Sequence, residues 1–315
     1  MLTALYLISG LLSLYFGAEW LVKGSASLAQ KLGLSPLMVG LTVVAYGTSA
    51  PELVVSSMAA WQGQGSLALG NAVGSNVFNV GLVLGLSAII TPLQVQSQLV
   101  KLDTPILLGS SLLFLLFFQD HTISQPEALT LLAGVLAYTT LHVLLARTKI
   151  TPSTQNEFKD NLPSPADKWT RDAGLILVGL AALTLGSRLF ILGAAQLARA
   201  WGLSEAIIGL TIVAAGTGLP ELAASVIAAC RKQTDIAIGN IVGSNIYNLL
   251  AIIGTSGTIA GPLLAPDLGQ TEVLIMVFIS AILLPLAWTG YSLRRWEGCV
   301  LLSTYAAYTY YLWPK

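Results

Sequence analysis

The chain has 315 residues, 55% of them apolar and only 10% charged, with fifteen basic and fifteen acidic side chains and a mean hydropathy of +0.76. A soluble domain carries about 25% charged residues and has no core large enough for this much apolar surface, so a bilayer is the expected solvent and membrane lipid the expected partner. With zero net charge and no basic tail, nothing points to nucleic acid.

Ten apolar stretches separated by breakers predict membrane spans at about 3–29, 36–61, 67–91, 104–119, 126–146, 173–199, 204–229, 235–262, 271–289 and 298–313. The first lacks a positive leading segment and contains Glu19, which argues against a cleaved signal peptide. Residues 147–172, rich in Pro, Asp, Lys and Ser, read as a solvated linker between a first half, 1–146, and a second half, 173–315. Basic residues gather in alternate loops, among them Lys31, Lys101, Arg147, Arg231, Lys232 and Arg294. The opposite side holds little beyond Arg199 and Lys315, so the linker is expected in the cytoplasm and both termini outside. Trp20, Trp61, Trp201, Trp288 and Trp313 suit an interfacial belt. Cys230 and Cys299, in or at the ends of apolar segments, read as packing residues.

The chain repeats itself at an offset of 169 residues. Gly47-Thr48-Ser49-Ala50-Pro51-Glu52-Leu53 returns as Gly216-Thr217-Gly218-Leu219-Pro220-Glu221-Leu222. Gly70-Asn71-Ala72-Val73-Gly74-Ser75-Asn76-Val77-Phe78-Asn79 returns as Gly239-Asn240-Ile241-Val242-Gly243-Ser244-Asn245-Ile246-Tyr247-Asn248. Five spans per half is an odd number, so the second half enters from the opposite side. The expected fold is an all-α polytopic membrane protein of ten transmembrane helices in two inverted five-helix repeats, with its site at the repeat interface.

An ionised Glu at membrane depth must be paired, solvated or bound to a cation. Glu52 and Glu221 lie deep in matched spans with no Lys or Arg within a helical turn. Side by side they repel, and one divalent ion neutralises both. Thr48 and Ser49 share a face with Glu52. Pro51 and Pro220 free the carbonyls of Gly47 and Gly216 and invite a kink. Ser75 with Asn79, and Ser244 with Asn248, add oxygens at four-residue spacing. Carboxylates, hydroxyls and carbonyls without sulfur or imidazole suit a hard cation such as Ca²⁺. Gly70, Gly74, Gly239 and Gly243 read as close-packing glycines, and Asn71, Asn76, Asn240 and Asn245 as either interhelical hydrogen bonds or ion contacts.

These paired motifs resemble the two alpha-repeats of the calcium/cation antiporter superfamily, and most closely its prokaryotic sodium/calcium exchanger branch, over nearly the whole chain. The resemblance implies a monomer in the cell (inner) membrane of a prokaryote, with Ca²⁺ and Na⁺ as transported ions and no organic cofactor. It implies a core of eight helices with four cation sites around the two glutamates. Ca²⁺ would sit on Glu52, Glu221, Thr48 and Thr217. Sodium sites on either side would draw on Ser49, Ser75 and the Ala45 carbonyl, and on Ser244 and the Ala214 carbonyl, with Asn79 and Asn248 flanking the centre. The first and sixth helices would slide across this core.

Two departures from the family pattern matter. Gly218 stands where the family has Ser, the counterpart of Ser49, so the outward sodium site lacks a hydroxyl and Gly218→Ser is expected to strengthen sodium activation. Asn248 stands where some members carry Asp, which argues against potassium co-transport. The leading expectation is electrogenic exchange of Na⁺ for Ca²⁺, the alternative Ca²⁺/H⁺ antiport on the same glutamates, and a more distant one a cation channel. No Ser/His pair, HExxH or phosphate loop supports an enzyme. Glu19 and Arg188, at matched positions, either pair or snorkel. His121 and His142 read as structural, and Asp103, Glu127, Asp172, Asp235 and Glu272 as solvated flanks.

Overall fold

The structure, a computed structural model, describes residues 2–148, 169–201 and 216–312. The linker from 149 to 168, the first part of the span expected at 204–229, Ala214 and Trp313 lie outside the described residues. Lipid offers no hydrogen bonds to the backbone, so each apolar segment satisfies its own as a helix. The helices are α1 Leu2–Leu32, α2 Pro36–Thr48, α3 Ala50–Trp61, α4 Gly65–Ile90, α5 Leu99–Asp120 and α6 Gln125–Thr148. They continue as α7 Trp169–Ala200, α8 Leu219–Cys230, α9 Thr234–Ala260, α10 Gln270–Trp288 and α11 Arg295–Leu312. Among the described residues, seven helices are long and apolar enough to cross a membrane, or eight if α2 and α3 form one span bent by 46°. The bend falls at the Gly47–Pro51 segment, as the sequence predicts.

Two antiparallel strand pairs express the internal symmetry. Leu93–Gln94 pairs with Ser292–Leu293, and Thr122–Ile123 with Leu263–Leu264, so each pair joins one half to the other. To within one residue the two pairs are exchanged by the 169-residue offset. Helices α4 and α9 occupy the middle: 72% and 94% of their apolar windows are buried, against 33% for α1, whose Leu5, Ile8 and Leu12 face outward.

Helices α1 and α7 pack against each other through glycines seven residues apart. A Cβ on Gly10 would lie 2.6 Å from Phe190 N, and one on Gly17 would lie 2.8 Å from Leu183 N and 2.9 Å from the Gly179 carbonyl oxygen. Gly179 and Gly186 return these contacts, so backbones touch along an antiparallel pair. The obstacle to a side chain is backbone, which has nowhere to move. Gly17→Ala is therefore expected to cost about 1–3 kcal/mol, read as a lower melting temperature of the purified protein in detergent. An unchanged melting temperature would show that the pair separates freely.

Buried ionic contacts correct several expectations. Asp172 is not a solvated flank: it is fully buried and paired with Lys31 Nζ at 2.7 Å, tying α7 to the end of α1. Asp103 is equally buried and accepts from Tyr138 Oη at 3.2 Å and lies 2.9 Å from His142 Nε2. Sequence periodicity misses both because the partners come from other helices. Glu127 accepts from Ser124 N and Oγ at the start of α6, and Asp235 accepts from Gln96 Nε2 at 2.8 Å. Glu272 is half-buried. Glu19 pairs with Arg231, at 2.6 Å, and not with Arg188, which is exposed. Both cysteines are free and exposed rather than packed inside. His121 keeps its structural role, its Nδ1 3.1 Å from the Leu268 carbonyl oxygen.

Candidate functional site

The repeated Gly-Thr-x-x-Pro-Glu segments build matching helix breaks. Ser49, between α2 and α3, has φ −82° and ψ 2°; Gly218, before α8, has φ −80° and ψ 0°. Each break sets a glutamate in the first turn of the next helix, where the free N–H groups and the helix dipole favour negative charge. Glu52 and Glu221 are each 1% exposed. Ser49 Oγ donates to Glu221 Oε1 at 3.0 Å, carrying the first half's break to the second half's carboxylate.

Two hydrogen-bonded chains, exchanged by the repeat, hold the threonines. Thr48 Oγ1 donates to Asn240 Oδ1 at 3.0 Å, and Asn240 Nδ2 donates to Ser225 Oγ at 2.9 Å. In the other half Thr217 Oγ1 donates to Asn71 Oδ1 at 3.4 Å, and Asn71 Nδ2 donates to Ser56 Oγ at 3.0 Å. With its proton committed, the Thr48 oxygen keeps lone pairs for a cation. Asn71 and Asn240 thus make interhelical bonds. Ser56 and Ser225 went unnoticed in the sequence, although their own match at the 169-residue offset marks them.

Across the middle of the molecule, Asn76 and Asn245 form a reciprocal clasp. Asn76 Nδ2 donates to the Asn245 carbonyl at 3.2 Å, and Asn245 Nδ2 to the Asn76 carbonyl at 3.1 Å. Their side-chain oxygens accept from the outer pair: Asn79 Nδ2 donates to Asn245 Oδ1 at 3.0 Å and Asn248 Nδ2 to Asn76 Oδ1 at 2.9 Å. Both outer asparagines open a π-helical turn, which re-aims their side chains within otherwise regular helices. With their amide nitrogens engaged, Asn79 Oδ1 and Asn248 Oδ1 stay buried and unpartnered.

The same holds for both oxygens of Glu52, for Glu221 Oε2 and for Ser244 Oγ. Buried oxygens without a donor are costly unless a cation or proton meets them. Among the described residues no group of three or more His, Cys, Asp or Glu forms a metal cluster, so the charge of this site is that of two carboxylates amid neutral oxygens. Ser75 is buried. The Ala45 carbonyl already accepts from Ser49 N at 3.0 Å and lies 3.4 Å from Thr48 Oγ1. Gly216, whose carbonyl Pro220 releases, accepts instead from Ser187 Oγ on α7 at 2.6 Å. Gly239 and Gly243 pack on the backbone of Leu37–Leu41, as close-packing glycines do. Gly70 and Gly74 meet no described neighbour within 4 Å, and the segment equivalent to that partner lies outside the described residues.

A sodium/calcium exchanger protein family matches residues 2–144 and 172–313. The chain belongs to this family. It is a family of membrane transporters, not enzymes. CaxA of Alkalimonas amylolytica is 39% identical over 321 residues, with 100% of both chains covered. A sodium/calcium exchanger of Methanosarcina acetivorans, MaX1, is 33% identical over 338 residues, with 96% of each covered. The solved sodium-calcium exchanger NCX_Mj, soaked with Na⁺ and Ca²⁺, superposes with a TM-score of 0.86 at 32% identity, covering 100% of this chain and 99% of that one. The exchanger described here shares the fold of that solved exchanger.

Proposed function

We propose that this exchanger moves Ca²⁺ against Na⁺ across the cell membrane of a prokaryote by alternating access. Ten spans in two inverted five-helix halves, 1–146 and 173–315, enclose the site; the linker 147–172 is cytoplasmic and both termini lie outside. The observation that carries the reading is the pair of buried, repeat-equivalent glutamates, three of whose four oxygens lack donors. Ca²⁺ sits between Glu52 and Glu221 with the oxygens of Thr48 and Thr217, and Asn79 and Asn248 complete its neutral shell. Such a shell of hard oxygens suits Ca²⁺. Na⁺ draws on Ser49, Ser75 and the Ala45 carbonyl beside Glu221, and Ser244 and the Ala214 carbonyl belong to the opposite flank. The protein works as a monomer in lipid without an organic cofactor. Helices α1 and α7, joined by glycine packing and by the Lys31–Asp172 pair, move together as the gating element.

Proteoliposomes loaded with Ca²⁺ test this reading. An inward Na⁺ gradient is expected to drive Ca²⁺ efflux, while a proton gradient without Na⁺ drives none. Efflux driven by protons alone and indifferent to Na⁺ would establish Ca²⁺/H⁺ antiport instead. Efflux that needs no counter-ion and scales with voltage would mark a channel.

A further inference from the structure

The two flanks of the site are not equivalent, and the structure supplies the reason. On one flank Ser49 Oγ donates to Glu221 Oε1. On the other the residue in Ser49's place is Gly218, and the carboxylate in Glu221's place, Glu52, has no partner on either oxygen. The backbone at the two breaks is the same within a few degrees, so the difference lies in side chains alone. The space beside Gly218 is also filled. A Cβ there would lie 2.6 Å from Phe78 Cε1 and 2.7 Å from Phe78 Cδ1.

Phe78 is held in that position. Its ring packs edge-on against Tyr305, with centroids 5.9 Å apart, and is almost wholly buried. Its repeat equivalent, Tyr247, is engaged elsewhere: its ring centroid lies 3.5 Å from that of Tyr46 and 6.3 Å from that of Tyr138. The residue equivalent to Tyr46 in the other half is Ala215, which offers Phe78 no ring. One half thus keeps a hydroxyl at the break, and the other places an aromatic ring beside a glycine.

A Na⁺ ion needs several oxygens at close range, and a phenyl edge supplies none. A third Na⁺ would be short of a ligand on this flank. We propose that Phe78 and Gly218 close the second flanking Na⁺ subsite, so that this exchanger trades two Na⁺ for each Ca²⁺ and moves no net charge. This rests on the Na⁺/Ca²⁺ reading above and replaces the expectation of electrogenic exchange. It also reverses the expectation for Gly218→Ser, because the new Cβ meets the Phe78 ring before its hydroxyl reaches Glu52.

The test is the null point of the full-length protein in proteoliposomes, where imposed Na⁺ and Ca²⁺ gradients produce no net ⁴⁵Ca²⁺ flux. At zero potential a roughly tenfold Na⁺ gradient holds about a 100-fold Ca²⁺ gradient for two Na⁺ and about 1,000-fold for three. Valinomycin-clamped potentials give a second readout: about 100 mV moves the null point roughly fifty-fold for one net charge and leaves it in place for none. The expected result is the 100-fold null point, unmoved by voltage. A 1,000-fold, voltage-sensitive null point in the wild type overturns the proposal, whether or not any variant folds. Gly218→Ser alone is expected to keep the two-ion null point. The double variant Gly218→Ser with Phe78→Ala is expected to move to the three-ion null point and become voltage-sensitive. A double variant that transports but stays at two ions overturns the assignment to this residue pair. Ca²⁺ flux that ignores Na⁺ altogether overturns the exchange reading itself, and is told apart because no Na⁺ null point then exists.

Discussion

Replacing Glu52 or Glu221 with glutamine is expected to reduce Ca²⁺ transport by at least about 100-fold, while the protein still folds. Each substitution keeps the side chain's shape and one oxygen but removes one of the two charges that balance the divalent ion. A Ca²⁺ ion left with a single carboxylate in this dry, neutral environment carries an uncompensated charge, a cost of several kcal/mol. Folding is expected to survive, because two buried carboxylates repel each other and glutamine removes that repulsion. The measurement is Na⁺-driven ⁴⁵Ca²⁺ flux, with size-exclusion profiles in detergent as the control. Transport retained at similar Ca²⁺ affinity in either variant would place the ion elsewhere. The two variants differ in one respect: Glu221→Gln still accepts from Ser49 Oγ, whereas Glu52 has no donor to keep.

The second large effect is expected at Asn76, a residue placed one step back from the ion. Asn76→Ala leaves the buried Nδ2 of Asn248 without a partner and removes one of the donors to the Asn245 carbonyl, which keeps the Asn248 backbone N–H. The orphaned group costs about 1–3 kcal/mol. The orientation of Asn248 matters as much as the stability. Its amide nitrogen now points to Asn76 Oδ1, which leaves its oxygen free. Released from that bond, the amide turns to whichever partner it finds, and a donor facing the cation repels it. The apparent Ca²⁺ affinity is therefore expected to fall by roughly tenfold or more, together with a lower melting temperature. The decisive readout is the rise in melting temperature on adding Ca²⁺. A variant that melts early but gains the wild-type increment would show that Asn76 supports the fold alone and does not position Asn248.

Much of this was legible beforehand because the chain states it twice. The 169-residue offset singled out Glu52, Glu221, Thr48, Thr217, Asn79 and Asn248, and the structure buries all of these but the half-buried Thr217. The bend between α2 and α3 was readable from Pro51 following Gly47, since a missing N–H and a flexible residue act on the local backbone. Charged residues near span ends were read less well. Asp103 and Asp172 look like solvated flanks from their position in the chain, yet each is buried against a partner on another helix. The pairing of Glu19 with Arg231 rather than Arg188 has the same origin. Spacing along one helix says which residues share a face, but not which helix that face meets.

Composition, periodicity and repetition were enough to establish a bilayer-spanning helical protein, two carboxylates at equivalent depths and a shell of hard oxygens. Those properties belong to single residues and their neighbours in the chain, so they survive without knowledge of packing. The absent hydroxyl at Gly218 was visible in the same way. Whether anything fills its place depends on a ring 140 residues away, packed against Tyr305, while Tyr46, the partner of its repeat equivalent, is replaced by Ala215 in the other half. The clasp of Asn76 and Asn245, and with it the direction in which Asn79 and Asn248 point their oxygens, likewise arises where the two halves meet. Contacts across that interface are set by how whole helices pack, and no local pattern in the sequence encodes them.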